Sequence, residues 1–158
     1  MPKRSPAKVP LKDPRAVPLK VFVEARKAVR SQWARAEKRN GGARAVLTAF
    51  LAAHFEFLNA DARTAQALYD PPPETANERT RLERLKTIRA LMNAAEKAVA
   101  AGKRGKAVRG DVDPAMAAVH FLGAIQMAWT FWTIGGRRGD LTDAGLRLFD
   151  QLWDGISV

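Results

Sequence analysis

The chain has no cysteine, so it has no disulfide framework and no thiolate to serve as metal ligand or nucleophile. Only two histidines, His54 and His120, occur in its 158 residues. That is too few for a zinc or iron centre of the usual kind. No glycine-rich phosphate loop follows a strand, and no serine stands in a nucleophile turn. The acidic residues fall at helix caps or on solvated faces, never as a pair within an apolar face, so general acid–base chemistry lacks its usual partners. These absences lead us to expect a protein that is not an enzyme and carries neither cofactor nor metal. Acidic side chains are also scarce beside basic ones, 16 against 27, for a formal charge of +11. The excess favours encounter with polyanions and says nothing about the fold. Met1–Pro18 lacks the apolar core of a secretory signal, and a cytoplasmic protein is expected.

Sustained period-2 alternation is missing too, which excludes a sheet and leaves helices. Prolines at positions 2, 6, 10, 14 and 18 forbid a helix over residues 1–18. Lys3, Arg4, Lys8, Lys12 and Arg15 against Asp13 give that segment +4, and it reads as a disordered basic tail. Residues 19–158 read as one all-α domain, a bundle of about six helices. Phe22, Ala25, Val29, Trp33 and Ala36 form one stripe of a first helix that ends at Asn40-Gly41-Gly42. A second helix, Ala43–Leu58, turns Leu47, Phe50, Leu51, His54, Phe55 and Leu58 inward. Asn59 or Asp61 caps a short third, Ala62–Tyr69, which Pro71-Pro72-Pro73 ends. Thr75-Ala76-Asn77-Glu78 fits a capping box. It opens a long helix to Ala101, stopped by Gly102, with Leu85, Ile88, Met92, Ala95 and Val99 as its seam. Thr142 is the expected cap of a last helix.

The most informative stretch is Val112–Gly136. Asp113 is placed to cap a helix and Pro114 to occupy its first position. From Pro114 to Gly136 there is no Asp, Glu, Lys or Arg. A rod of roughly 30 Å with no charged side must be hidden on nearly all sides. Its His120, Gln126, Thr130 and Thr133, and its many alanines, argue against a membrane span. A second copy of the chain is expected to supply the cover. Ala117, Phe121, Ala124 and Ala128 form one row, and Leu146, Phe149, Leu152 and Trp153 form a face on the last helix. Together they predict a four-helix homodimer interface.

Arg109-Gly110-Asp111-Val112-Asp113-Pro114, followed by Ala117-Ala118 and Phe121-Leu122-Gly123-Ala124-Ile125-Gln126, resembles the C-terminal half of TetR/AcrR-type transcriptional regulators. The resemblance extends over Leu19–Ser157 in helix order. It implies that the uncharged helix and the last one, Thr142–Ile156, form the dimer interface. It also implies a ligand cavity enclosed by the long helix and those before it. Such regulators begin with a three-helix DNA-binding domain ending in a tyrosine-x-histidine-phenylalanine element. Ala53-His54-Phe55 lacks that tyrosine, and only Met1–Pro18 precedes the first helix, so the DNA-reading part is expected to be absent or truncated. The expected function is that of a TetR-like small-molecule-sensing and dimerisation domain. DNA would be met weakly or through a missing domain. The alternative is a basic helical interaction protein that dimerises with a partner or binds nucleic acid non-specifically. Residues 1–18 and the loop Lys103–Arg109 carry the charge for that, without aromatics to stack on bases.

A small, largely apolar ligand would enter between the second, long and uncharged helices. The candidate lining residues are Trp33, Phe50, His54, Met92, His120, Gln126 and Met127. Each has a plainer reading. His54 suits a neutral core histidine bonded inside the chain, and His120 and Gln126 could satisfy themselves across an interface. Methionines fill gaps, and Trp33, Trp129 and Trp132 suit packing.

Overall fold

A computed structural model of the chain describes residues 17–70 and 77–158. Residues 1–16 of the expected basic tail, and Thr75 of the expected capping box, lie outside the described residues. The described residues form an all-α bundle: α1 (Leu19–Ala36), α2 (Gly42–Ala60), α3 (Ala62–Tyr69), α4 (Glu78–Arg104), α5 (Pro114–Ile134) and α6 (Leu141–Ile156).

Local chemistry sets the helix ends. Asp61 starts α3 by accepting from the Thr64 backbone N–H at 3.1 Å and from the Thr64 hydroxyl at 2.6 Å. Asp113 accepts from the Ala115 N–H at 2.8 Å, with Pro114 in the first turn of α5 as its fixed φ favours. Two expected caps are corrected. Asn77 caps α4, accepting from the Thr80 N–H. Asp140, not Thr142, caps α6, and Thr142 is the residue whose N–H it binds, at 2.7 Å.

The long helix does not stop at Gly102, which is buried inside α4. A Cβ there would come within 2.8 Å of Val108 Cγ2 and 3.0 Å of Ala43 Cβ. The glycine serves close packing rather than termination. The seam of α4 also differs from expectation. Leu91, Ala94, Ala95, Ala98 and Val99 are buried, Ile88 and Met92 are half-buried, and Leu85 is 57% exposed. Small side chains let neighbouring helices come near, so the alanine row makes the contact and Leu85 is left outside.

α4 packs chiefly against α1 and α5, while α6 packs on α2 and α5. Short α3 is wedged among α1, α2, α4 and α5. The α2–α6 contact needs Gly145, since a Cβ there would overlap the Phe55 ring. Between α5 and α6, Phe121, Phe149 and Trp153 form a ring stack with centroids 5.5 and 6.0 Å apart. Among the described residues no helix is long and apolar enough to cross a membrane, and no His/Asp/Glu group could hold a metal.

Candidate functional site

The uncharged helix has two unlike faces. Ala117, Ala118, Phe121, Ile125, Ala128 and Trp129 are buried against the rest of the chain. The opposite face carries Met116, Val119, Met127, Phe131 and Ile134, between 43% and 76% exposed. Residues 116, 120, 123, 127, 131 and 134 share one face by helical spacing, and His120 and Gly123 interrupt its apolar side chains. The described residues of the chain leave this face uncovered.

Most of the expected interface row is taken up by packing inside the chain. Ala117, Phe121, Ala128, Phe149 and Trp153 are buried within the chain, while Ala124, Leu146 and Leu152 are half-buried. From this row Phe121 meets Phe149 of α6, with ring centroids 5.5 Å apart. On a helix apolar all round, periodicity cannot tell an inner face from an outer one.

The expected cavity residues scatter. His54 is fully buried, and its Nε2 lies 2.7 Å from the Tyr69 hydroxyl and its Nδ1 3.4 Å from Gln32 Oε1. The Gln32 amide donates to the Ala53 carbonyl at 3.3 Å, so its oxygen is the acceptor for an Nδ1–H, and Nε2 accepts from Tyr69. Burial lowers the His54 pKa to about 4 and raises that of Tyr69, so both are neutral at pH 7. Both ring nitrogens are therefore committed to the core, and His54 offers no polar contact to a ligand.

Gln126 is likewise committed, donating to the Tyr69 carbonyl at 2.9 Å. Trp129 Nε1 donates to Asp70 Oδ1 at 3.0 Å, and Arg84 donates to the Leu68 carbonyl at 2.9 Å. Together they fix the end of α3 to α4 and α5. His120 and Met127 stand exposed on the outer side of α5. Phe50 is buried edge-on to the half-buried Trp33, with centroids 5.5 Å apart, and Met92 is half-buried on α4.

The RGDVDP element turns out to be a clasp. The Arg109 N–H donates to the Ile156 carbonyl at 3.0 Å, and its guanidinium donates to the Gly155 carbonyl at 2.9 Å. A cation thus meets the orphan carbonyls at the end of α6. Lys103 donates to the Val112 carbonyl at 2.9 Å, and Arg109 pairs with Asp111 at 3.2 Å. Two of the loop cations expected to meet phosphates instead hold the chain's own backbone.

A groove of about 310 Å³ opens between α1 and α4. Val29, Arg30 and Trp33 line it from α1, and Ala90, Asn93, Ala94 and Lys97 from α4. Of the residues expected around a ligand, only Trp33 lines this groove. Its indole N–H is buried and has no hydrogen-bond partner.

No family model and no curated protein matches the chain. Solved structures do. The transcriptional regulator FadR from Bacillus subtilis, in complex with stearoyl-CoA, superposes over 86% of this chain and 74% of its own, with a TM-score of 0.71 and 18% identity. The fatty acid degradation regulator FadR from Bacillus halodurans covers 87% of this chain and 72% of its own, with a TM-score of 0.69 and 18% identity. A protein of unknown function from Rhodococcus sp. RHA1 reaches a TM-score of 0.59 at 14% identity, over 89% of this chain and 70% of its own. At these identities the chain shares the fold of the greater part of a transcriptional regulator.

Proposed function

We propose that the chain is the ligand-binding and dimerisation part of a TetR-type transcriptional regulator, cytoplasmic and non-catalytic. The observation that carries the reading is the bare apolar stripe on α5, from Met116 to Ile134, on a fold shared with a regulator that holds stearoyl-CoA. Soluble monomers rarely expose so many large apolar side chains along one helix face unless something binds there. A two-fold partner presenting the same stripe buries it self-complementarily, and a stable pair of this kind removes about 1,600 Å² from water. Half-buried Leu148 and Leu152 of α6 extend the apolar surface available to a partner. The face used is the outer one, not the Phe121–Phe149 side.

A ligand acts in such an assembly by binding one arrangement of the helices better than another. Long-chain acyl-CoA is the first ligand to test, on the strength of the shared fold alone. DNA would be reached through a reading head attached to, or paired with, these helices. Sedimentation equilibrium at micromolar concentration tests the reading, followed by thermal melting with stearoyl-CoA. A dimer whose melting temperature rises with stearoyl-CoA supports it. A monomer that no acyl-CoA stabilises overturns it.

A further inference from the structure

We propose that the α1–α4 groove is a binding site for a small organic anion with a flat apolar body, an aromatic carboxylate in particular. The proposal goes beyond the regulator reading and does not depend on it. Size sets the first bound. At about 310 Å³ the groove lies at the lower end of small-molecule sites, room for a two-ring compound rather than for a whole coenzyme.

Chemistry sets the second bound. Val29, Ala90, Ala94 and the Trp33 ring provide apolar wall. The polar groups around it are nearly all donors. Arg30 and Lys97 carry only donors, and Asn93 alone can also accept. No acidic residue lines the groove. Neither Arg30 nor Lys97 has an ion-pair partner among the described residues. An occupant that brings acceptor oxygens and a negative charge answers both unpaired cations. Its carboxylate would sit between cations from two different helices, joining α1 to α4.

The test is isothermal titration of the full chain with 2-naphthoate, against 2-naphthamide as an uncharged compound of the same shape. Amide chemical shifts locate the site. Naphthoate is expected to bind saturably and about tenfold more tightly than naphthamide, the size of one charge-assisted hydrogen bond. Shifts should centre on residues 29–33 and 90–97. Arg30→Gln and Lys97→Gln, both at exposed positions, should each weaken naphthoate by about threefold to fivefold. The double variant should erase the preference over naphthamide while melting at the native temperature. Equal affinity for the two compounds, no saturation at millimolar naphthoate, or a double variant that binds as the native chain does overturns the proposal. Neither oligomeric state nor acyl-CoA enters this readout, so its failure and that of the regulator reading are separate results.

Discussion

Two uncovered surfaces among the described residues of this bundle are opposite in chemistry. The outer stripe of α5, from Met116 to Ile134, is long, largely apolar and without Asp, Glu, Lys or Arg. The α1–α4 groove is small and concave, with Arg30 and Lys97 at its rim. The stripe can be satisfied only by area, meaning another apolar surface of similar length. The groove can be satisfied only by charge and acceptor oxygens. One chain thus offers two partners two different forces, and salt should separate them. Raising ionic strength screens exposed charges, so it should weaken the groove's ligand and leave self-association unchanged or stronger.

The largest expected effect lies on the stripe. Met127→Glu with Phe131→Glu places like charges opposite one another across a two-fold interface. Each substitution counts twice in such a pair, so loss of four apolar anchors at about 1 kcal/mol each raises the dimer dissociation constant about a thousandfold. Sedimentation velocity over a concentration series reads this directly. A dimer that survives the double substitution would show that the stripe is not the contact surface.

Next in size is the contrast between the two faces of the same helix. Phe121 is buried at 3% exposure, whereas Phe131, ten residues on, is 65% exposed. Phe121→Ala leaves a cavity against Phe149 and should cost about 3–5 kcal/mol in urea unfolding. Phe131→Ala should change the stability of the dissociated chain by less than about 0.5 kcal/mol. Equal losses would erase the distinction between inner and outer face on which the dimer proposal stands.

The same two helical surfaces show what a sequence can and cannot disclose. On α2 the row Leu47, Phe50, Leu51, His54, Phe55 and Leu58 is legible, and all six are buried. Arg44, Glu56 and Asn59 mark the solvent side there, so the apolar side is unambiguous. α5 carries no such mark between Pro114 and Gly136. The need for cover was legible, but its direction depends on where α6 lies, which no local pattern records. The RGDVDP element was legible as a helix start, while its clasp on Gly155 and Ile156 joins residues more than forty apart. The groove was hidden for the same reason. Arg30 and Lys97 each look like ordinary solvated charges until α1 is laid against α4.

A smaller effect tests the buried polar group that links α1, α2 and α3. The folded-state pKa of His54, about 4, lies below its unfolded value near 6.5 because burial disfavours the charged ring. Between those values the unfolded chain binds more protons. Stability therefore falls as pH drops from 7 toward 4 and levels off below it, by about 3 kcal/mol for this group. Asp61 and Glu83, whose carboxyls are held below their usual range mainly by hydrogen bonds from Thr64 and Lys86, add loss in the same direction. The His54 share is accordingly the difference between the native chain and His54→Gln, measured by urea unfolding at pH 7 and pH 4. Parallel pH profiles for the two would mean that the ring is reached by water and is not sealed against Tyr69 and Gln32.

The smallest effect separates the charges that hold the bundle from those that only dress it. Arg44 of α2 reaches Asp150 at 2.9 Å and Asp154 at 3.5 Å on α6, a pairing that appears to the eye as a bolt between helices. All three side chains are 48% to 66% exposed, however, and water and salt screen such pairs. The Phe55 ring over Gly145 already sets that helix contact from inside. Arg44→Ala should therefore shift stability by no more than about 0.5 kcal/mol, and less in high salt. Gly145→Val, on the same contact, should cost at least about 1–3 kcal/mol, because the ring must move to admit the side chain. If the ranking were reversed, the α2–α6 joint would rest on charge, and adding salt would loosen the face that α6 presents beside the α5 stripe. Dimerisation would then weaken with salt as ligand binding in the groove does, and the two surfaces would no longer be distinguishable by ionic strength.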